Sequence, residues 1–174
     1  GYIREWGVEQ LVRDVRIGQI YEGTNGIQSH DLLGRKVIRD QGKALNEWLD
    51  DQKSILDELG GIEELSVYTP RLADIIQSFE SLSSNILSQS NQKPHLMGAM
   101  AVEYLHLMGY LQYAILWLRM MAVSLEAGAK TELHQSKLKT GAFYLHRVLP
   151  RVDGLFTILS SDSDLISEID EQLF

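Results

Sequence analysis

The sequence predicts an all-α protein, a helical bundle, on three observations. It contains only three prolines among 174 residues. Its apolar residues recur every three or four positions, the period of a helix face rather than of a strand. One long stretch, Leu96 to Leu125, is apolar almost all round, which puts a helix at the centre of a bundle or in an oligomer interface.

The elements follow in order. Val8, Leu11, Val12 and Val15 mark one face of a first helix that ends near Ile17 and Gly18, with Glu9 and Arg13 paired on its flank. A second helix runs from about Ile27 into the high forties through Leu33, Val37, Ile38, Leu45, Trp48 and Leu49, with Asp31 and Arg35 paired outside. The segment from Leu45 to Tyr68 mixes charged and apolar residues around Gly60-Gly61 and reads as a connector. Pro70 opens a third helix carrying Leu72, Ile75, Ile76, Phe79, Leu82, Ile86 and Leu87, and "SQSNQKP" at 88–94 closes it. Pro94 suits the first turn of a fourth helix reaching about Ala127. A fifth spans about Lys130 to Leu159, and Pro150 inside it should kink or split it. A short helix, Asp164 to Leu173, comes last, and no internal repeat is present.

Composition removes several classes of function. A net charge of −8 and the lack of any Lys/Arg-rich run argue against nucleic acid and anionic membrane as partners. With no cysteine there is no disulfide framework, thiolate metal site or cysteine nucleophile, which fits a reducing compartment. The longest uncharged stretch, Tyr104 to Leu118, is too short and too polar to span a bilayer. The chain opens on Gly1 rather than Met, so it is expected to be cut from something longer.

The chemistry candidates are few. In "RIGQIYEGTNGIQ", residues 16–28, Glu22 is the one charged residue between Ile17 and Ile27. Asn25-Gly26 is a strong hairpin signal by itself. Helical patterns on both sides also allow a helix–loop–helix, with Gly23 and Gly26 permitting close backbone approach. Glu22 is then either a turn residue or a carboxylate whose pKa is raised by an uncharged, apolar setting. Glu103 and His106 form a Glu-x-x-His unit of the di-iron type, but such sites need two units and this sequence has one, so no metal is expected. His30 and His95 read as exposed, and His134 and His146 lack metal spacing. Met97, Met100, Met108, Met120 and Met121 read as adaptable core packing or as an oligomer contact.

The opening stretch also resembles a known family. Gly1-Tyr2, Val8-Glu9, Arg13-Asp14-x-Arg16-Ile17 and Ile20-Tyr21-Glu22-Gly23-Thr24 are similar, in order and spacing, to the C-terminal signature of the acyl-CoA dehydrogenases. The likeness covers residues 1 to about 38. Its continuation, "TNGIQSHDLLGRKV", resembles the long-form members, which carry an additional helical domain; methylthiopropionyl-CoA dehydrogenases and broad-chain enzymes have this form. On that basis residues 1–45 are expected to be the last helices and catalytic-base loop of the enzyme's C-terminal bundle. Residues 46–64 are the connector and 65–174 the helical extension.

The resemblance implies an FAD-dependent oxidation of an acyl-CoA to the trans-2-enoyl-CoA, within fatty acid β-oxidation. Glu22 would be the base that removes the α-proton, and Gly23 would line the substrate site. Thr24, Asn25 and Gly26 would touch FAD, although Gly26 stands where many relatives have Gln or Glu and so offers only backbone. Asp14 and Arg16 are expected to be structural. Electron-transferring flavoprotein would accept the electrons, and a homo-oligomer, cytoplasmic or in a mitochondrial matrix, is expected. Most of the flavin and acyl pocket belongs to domains that precede Gly1 in the family, so this piece should be inactive alone. The rival reading is a non-enzymatic helical interaction or oligomerisation module.

Overall fold

A computed structural model describes residues 3–20 and 24–169. Every regular element among them is helical. A 3₁₀ turn, Arg4–Trp6, leads into α1 (Val8–Val15) and the single turn α2 (Ile17–Ile20). After residues 21–23, α3 (Thr24–His30) continues without a break as a π-helical run, Asp31–Arg39. Then come α4 (Lys43–Gly60), α5 (Thr69–Gln89), α6 (Leu96–Glu126) and α7 (Glu132–Phe143). A second π run, Tyr144–Val148, precedes α8 (Arg151–Leu159), and α9 (Asp164–Ser167) follows.

Helix α6 is the axis. Met100, Tyr104, Leu107, Leu111, Ile115, Leu118 and Met121 recur at three- and four-residue steps and are all buried. Because its apolar residues run nearly all round, it takes partners on several sides: α3, α4, α5, α7 and α8 all pack on it. Several polar groups drawn inside find partners close by. Tyr104 and Ser83 share a hydrogen bond of 2.8 Å, and Ser83 Oγ also donates to the Phe79 carbonyl at 2.7 Å. Trp48 Nε1 donates to Gln112 at 2.9 Å, which ties α4 to α6. Phe79 lies between Trp48 and Tyr104, at ring-centroid distances of 6.1 and 5.0 Å.

The connector and the second helix are bounded differently from the sequence expectation. The segment read as a connector, 46–64, is mostly helix: within α4, Leu45, Leu49, Gln52, Leu56 and Leu59 are buried at helical spacing. Gln52 occupies one of those inward positions, and five charged residues between Asp50 and Glu58 cover the outside, so the apolar series reads as interrupted. The long second helix is divided instead at Gly42. Its φ of +77° is open to glycine at little cost, and its N–H donates to the Val37 carbonyl at 2.8 Å. At Pro150 the helix is split, one of the two outcomes expected there. The lost N–H ends the π run, which closes with Leu149 N–H on the Tyr144 carbonyl at 2.9 Å, and α8 starts afresh. Of the expected last helix, α9 is described and residues 170–174 lie outside the described residues.

Candidate functional site

The segment that carries the candidate chemistry falls between α2 and α3 in sequence. Tyr21, Glu22 and Gly23 lie outside the described residues. Thr24, Asn25 and Gly26 form the first turn of α3, where Thr24 and Gly26 are half-buried and Asn25 is exposed. Asn25 therefore offers its side-chain carboxamide at the surface of this turn. Beside Gly26 the space is open: among the described residues, a β-carbon there would meet no atom within 4 Å outside its own stretch of helix. Ser29, fully buried, donates to the Gly26 carbonyl at 2.8 Å and firms the turn from inside.

The two sides of the loop are anchored differently. Downstream, the run Thr24–Arg39 packs on α6, with Leu33 0% and Val37 2% exposed. At Gly34 its backbone passes so close to Met97 that an added β-carbon would overlap the Met97 sulfur. The outward Asp31–Arg35 pair, 2.7 Å apart, is present as the spacing predicts. Upstream, α1 carries the expected Glu9–Arg13 pair at 2.8 Å, and Gln10 donates to Asp14 at 2.7 Å. Asp14 and Arg16 are both exposed. The apolar face of α1 is exposed among the described residues: Leu11 is 65% and Val15 69% exposed, and Trp6, Ile17 and Ile20 are exposed too.

Other candidates resolve into structure. Glu103 is half-buried and His106 exposed, and no three His, Asp or Glu among the described residues converge as metal ligands. Met100 and Met121 are buried, and Met97, Met108 and Met120 half-buried, so the methionines are largely core. His95, expected on the surface, is instead half-buried. Its Nε2 pairs with Asp164 Oδ1 at 2.8 Å while Lys93 holds Oδ2 at 2.7 Å, which fastens α9 to the start of α6. The Lys93 hydrogen bond, then that of His95, keeps the Asp164 carboxyl below the ordinary carboxylate range. Nothing in the local sequence marks that cluster, because its members are about seventy residues apart.

Comparison with known proteins decides the family. A model of the acyl-CoA dehydrogenase C-terminal domain matches residues 1–37, and one described as acetyl-CoA dehydrogenase C-terminal like matches residues 38–170. The chain belongs to the acyl-CoA dehydrogenase family. It is 36% identical, over 86% of its length, to a 3-methylmercaptopropionyl-CoA dehydrogenase of Ruegeria pomeroyi, of which it covers 26%. It is 26% identical over its whole length to a broad-specificity linear acyl-CoA dehydrogenase of Mycobacterium tuberculosis, covering 30% of that protein. A butyryl-CoA dehydrogenase of Syntrophomonas wolfei is 24% identical, again over the whole chain and 30% of the relative. The chain thus spans between a quarter and a third of these curated dehydrogenases, and it matches the family's C-terminal domains. The two matches meet between Val37 and Ile38, inside the π-helical run, where the backbone has no break. No helix among the described residues is long and apolar enough to cross a membrane.

Proposed function

We propose that this chain supplies the catalytic base of an FAD-dependent acyl-CoA dehydrogenase, with Glu22 removing the α-proton of a bound acyl-CoA thioester. The observation that carries the proposal is the run Arg13-Asp14-x-Arg16-Ile17…Ile20-Tyr21-Glu22-Gly23-Thr24, inside the stretch matched by the family's C-terminal domain. An α-proton is weakly acidic, so its removal needs a base held at the carbon and kept from water, together with donors that polarise the thioester carbonyl. Gly23 carries no side chain to stand between Glu22 and the substrate.

FAD is the cofactor this family generally uses. Thr24, Asn25 and Gly26 would hold part of it, and what the described residues offer fits: an exposed carboxamide at Asn25 and open space beside Gly26. Bound FAD would supply the hydride acceptor at the β-carbon. The remaining cofactor and acyl contacts belong to the larger part of the curated relatives, so the chain by itself is expected to be inactive.

The similarity to a 3-methylmercaptopropionyl-CoA dehydrogenase favours a short thioether acyl-CoA as substrate, and linear acyl-CoAs are the alternative. Electron-transferring flavoprotein as acceptor, a homo-oligomeric state and a cytoplasmic or matrix location belong to the same proposal. Domain limits of 1–45, 46–64 and 65–174 belong to it too, with α4 filling the middle segment. An interaction module alone would have no use for Glu22 in an uncharged glycine loop.

The test is the Glu22→Gln variant in a full-length enzyme carrying this chain, mixed anaerobically with 3-methylmercaptopropionyl-CoA and linear acyl-CoAs while flavin bleaching is followed. Loss of about 10²–10⁴-fold in bleaching rate is expected, the range of positioned proton transfer. Bleaching at the wild-type rate would remove Glu22 from the chemistry.

A further inference from the structure

Glu22 is tied by two residues to the start of a helical rod whose other end is set by a different part of the chain. From Thr24 the rod runs unbroken to Arg39. Leu33 and Val37 bury themselves with α4, α5 and α6, in the core of the region matched by the second family model. The junction between the two matches lies within this rod, so the piece bearing Glu22 and the piece forming the bundle share one rigid element. At Gly34 the rod lies against the flexible Met97 side chain, whose sulfur a β-carbon there would have to push aside. The rod is π-helical there, a rare form that recurs at functional sites.

We propose that Gly34 and Met97 are positioning residues for the reaction: through them α6 sets where α3 begins and therefore where Glu22 meets the substrate. The proposal rests on the reading of Glu22 as the base. Ten residues separate Gly34 from Thr24, about 15 Å at helical rise. A side chain at position 34 must displace either Met97 or the rod, and a rod passes that displacement to its end. Proton abstraction tolerates little of it, because a misplacement of about 1 Å can cost on the order of 10²-fold in rate. Met97 is flexible enough to yield partly to a methyl group, so the effect should grow with the size of the side chain.

The experiment compares Gly34→Ala, Gly34→Leu, Met97→Ala, the Gly34→Leu/Met97→Ala pair and Glu22→Gln in a full-length enzyme. Anaerobic flavin bleaching is measured with ordinary and α-deuterated acyl-CoA, beside substrate affinity and FAD content. Amide exchange over residues 24–39 is followed in the 174-residue chain itself. Gly34→Leu is expected to slow bleaching ten- to a hundred-fold and raise the α-deuterium isotope effect, with FAD content and affinity within about two-fold of wild type. Exchange over 24–39 should quicken in the same variant. Met97→Ala, by making room, should restore both to within about three-fold. Should Gly34→Leu fail to fold, Gly34→Ala decides, with a slowing of about three- to ten-fold expected.

Wild-type bleaching in folded Gly34 variants, or a loss that Met97→Ala does not recover, would overturn the positioning role. If Glu22→Gln bleached normally, the reading of the base would fall and this proposal with it. A dead Glu22→Gln beside fast Gly34 variants would sink the positioning role alone.

Discussion

Helices α1 and α6 are both rich in aliphatic residues, yet one exposes them and the other hides them. In α1 the stripe of Val8, Leu11, Val12 and Val15 faces outward, while in α6 Leu107, Leu111 and Leu118 are wholly buried. The difference lies in partners. Five helices lie against α6, whereas among the described residues α1 packs chiefly on its immediate neighbours in sequence. An amphipathic pattern therefore states that a face needs covering and leaves open which part of a protein covers it. The curated relatives are more than three times longer than the stretch this chain matches, and we propose that their preceding part is what α1 packs on.

The contrast can be broken by paired truncations. Leu111→Ala should lower the urea-unfolding stability of the 174-residue chain by about 2–5 kcal/mol, the range for a core leucine. Leu11→Ala in the same chain should change it by no more than about 0.5 kcal/mol, as at an open surface. A core-sized cost for Leu11→Ala would mean that α1 already has a partner here. Joined to the preceding part of a full-length enzyme, Leu11→Ala should rise to about 2–3 kcal/mol. If it stays near zero there, the proposed docking of α1 is wrong.

Two smaller effects sharpen the description of the bundle end of this comparison. Tyr104→Phe should cost about 0.5–1.5 kcal/mol, one internal hydrogen bond, since Ser83 keeps its bond to the Phe79 carbonyl. Burial pushes the Tyr104 phenol well above its ordinary range and that of Tyr144 up to about 12. Both stay protonated in the fold at pH values where the unfolded chain has ionised. Their contribution is thus whole below about pH 10 and is lost as pH rises from there. The alkaline fall in stability should be shallower in Tyr104→Phe.

Smallest is Asp164, whose depressed pKa has the opposite sign. Its support of α9 is present above about pH 4 and lost as pH falls further. The pairing is solvent-screened, so Asp164→Asn should speed amide exchange at 164–169 while leaving global unfolding nearly unchanged.

Where one helix carried its own pattern, the sequence was enough. The all-round apolar run of α6, the proline-opened α5 and the division at Pro150 follow from composition and from missing N–H groups. The α4 pattern was masked by Gln52 and the surrounding charges, because a buried glutamine can bond a nearby carbonyl, here that of Trp48 at 3.2 Å, and so stand in a leucine's place. Contacts between distant residues left no local trace. Gly34 looks like an ordinary helix glycine until Met97 is found against it, and Lys93, His95 and Asp164 look like scattered surface charges. At the candidate site, Thr24 to Gly26, read as loop before a helix starting near Ile27, instead form the first turn of α3, whereas Tyr21, Glu22 and Gly23 are known here from sequence alone.

The central claim is that Glu22 takes the α-proton, and isotope exchange tests it without waiting for the oxidation. A full-length enzyme carrying this chain is incubated with acyl-CoA in D₂O, and deuterium at the recovered α-carbon is read by mass spectrometry. The wild type should incorporate it and Glu22→Gln should do so slower by about 10²-fold or more. Equal exchange in the two would contradict the account.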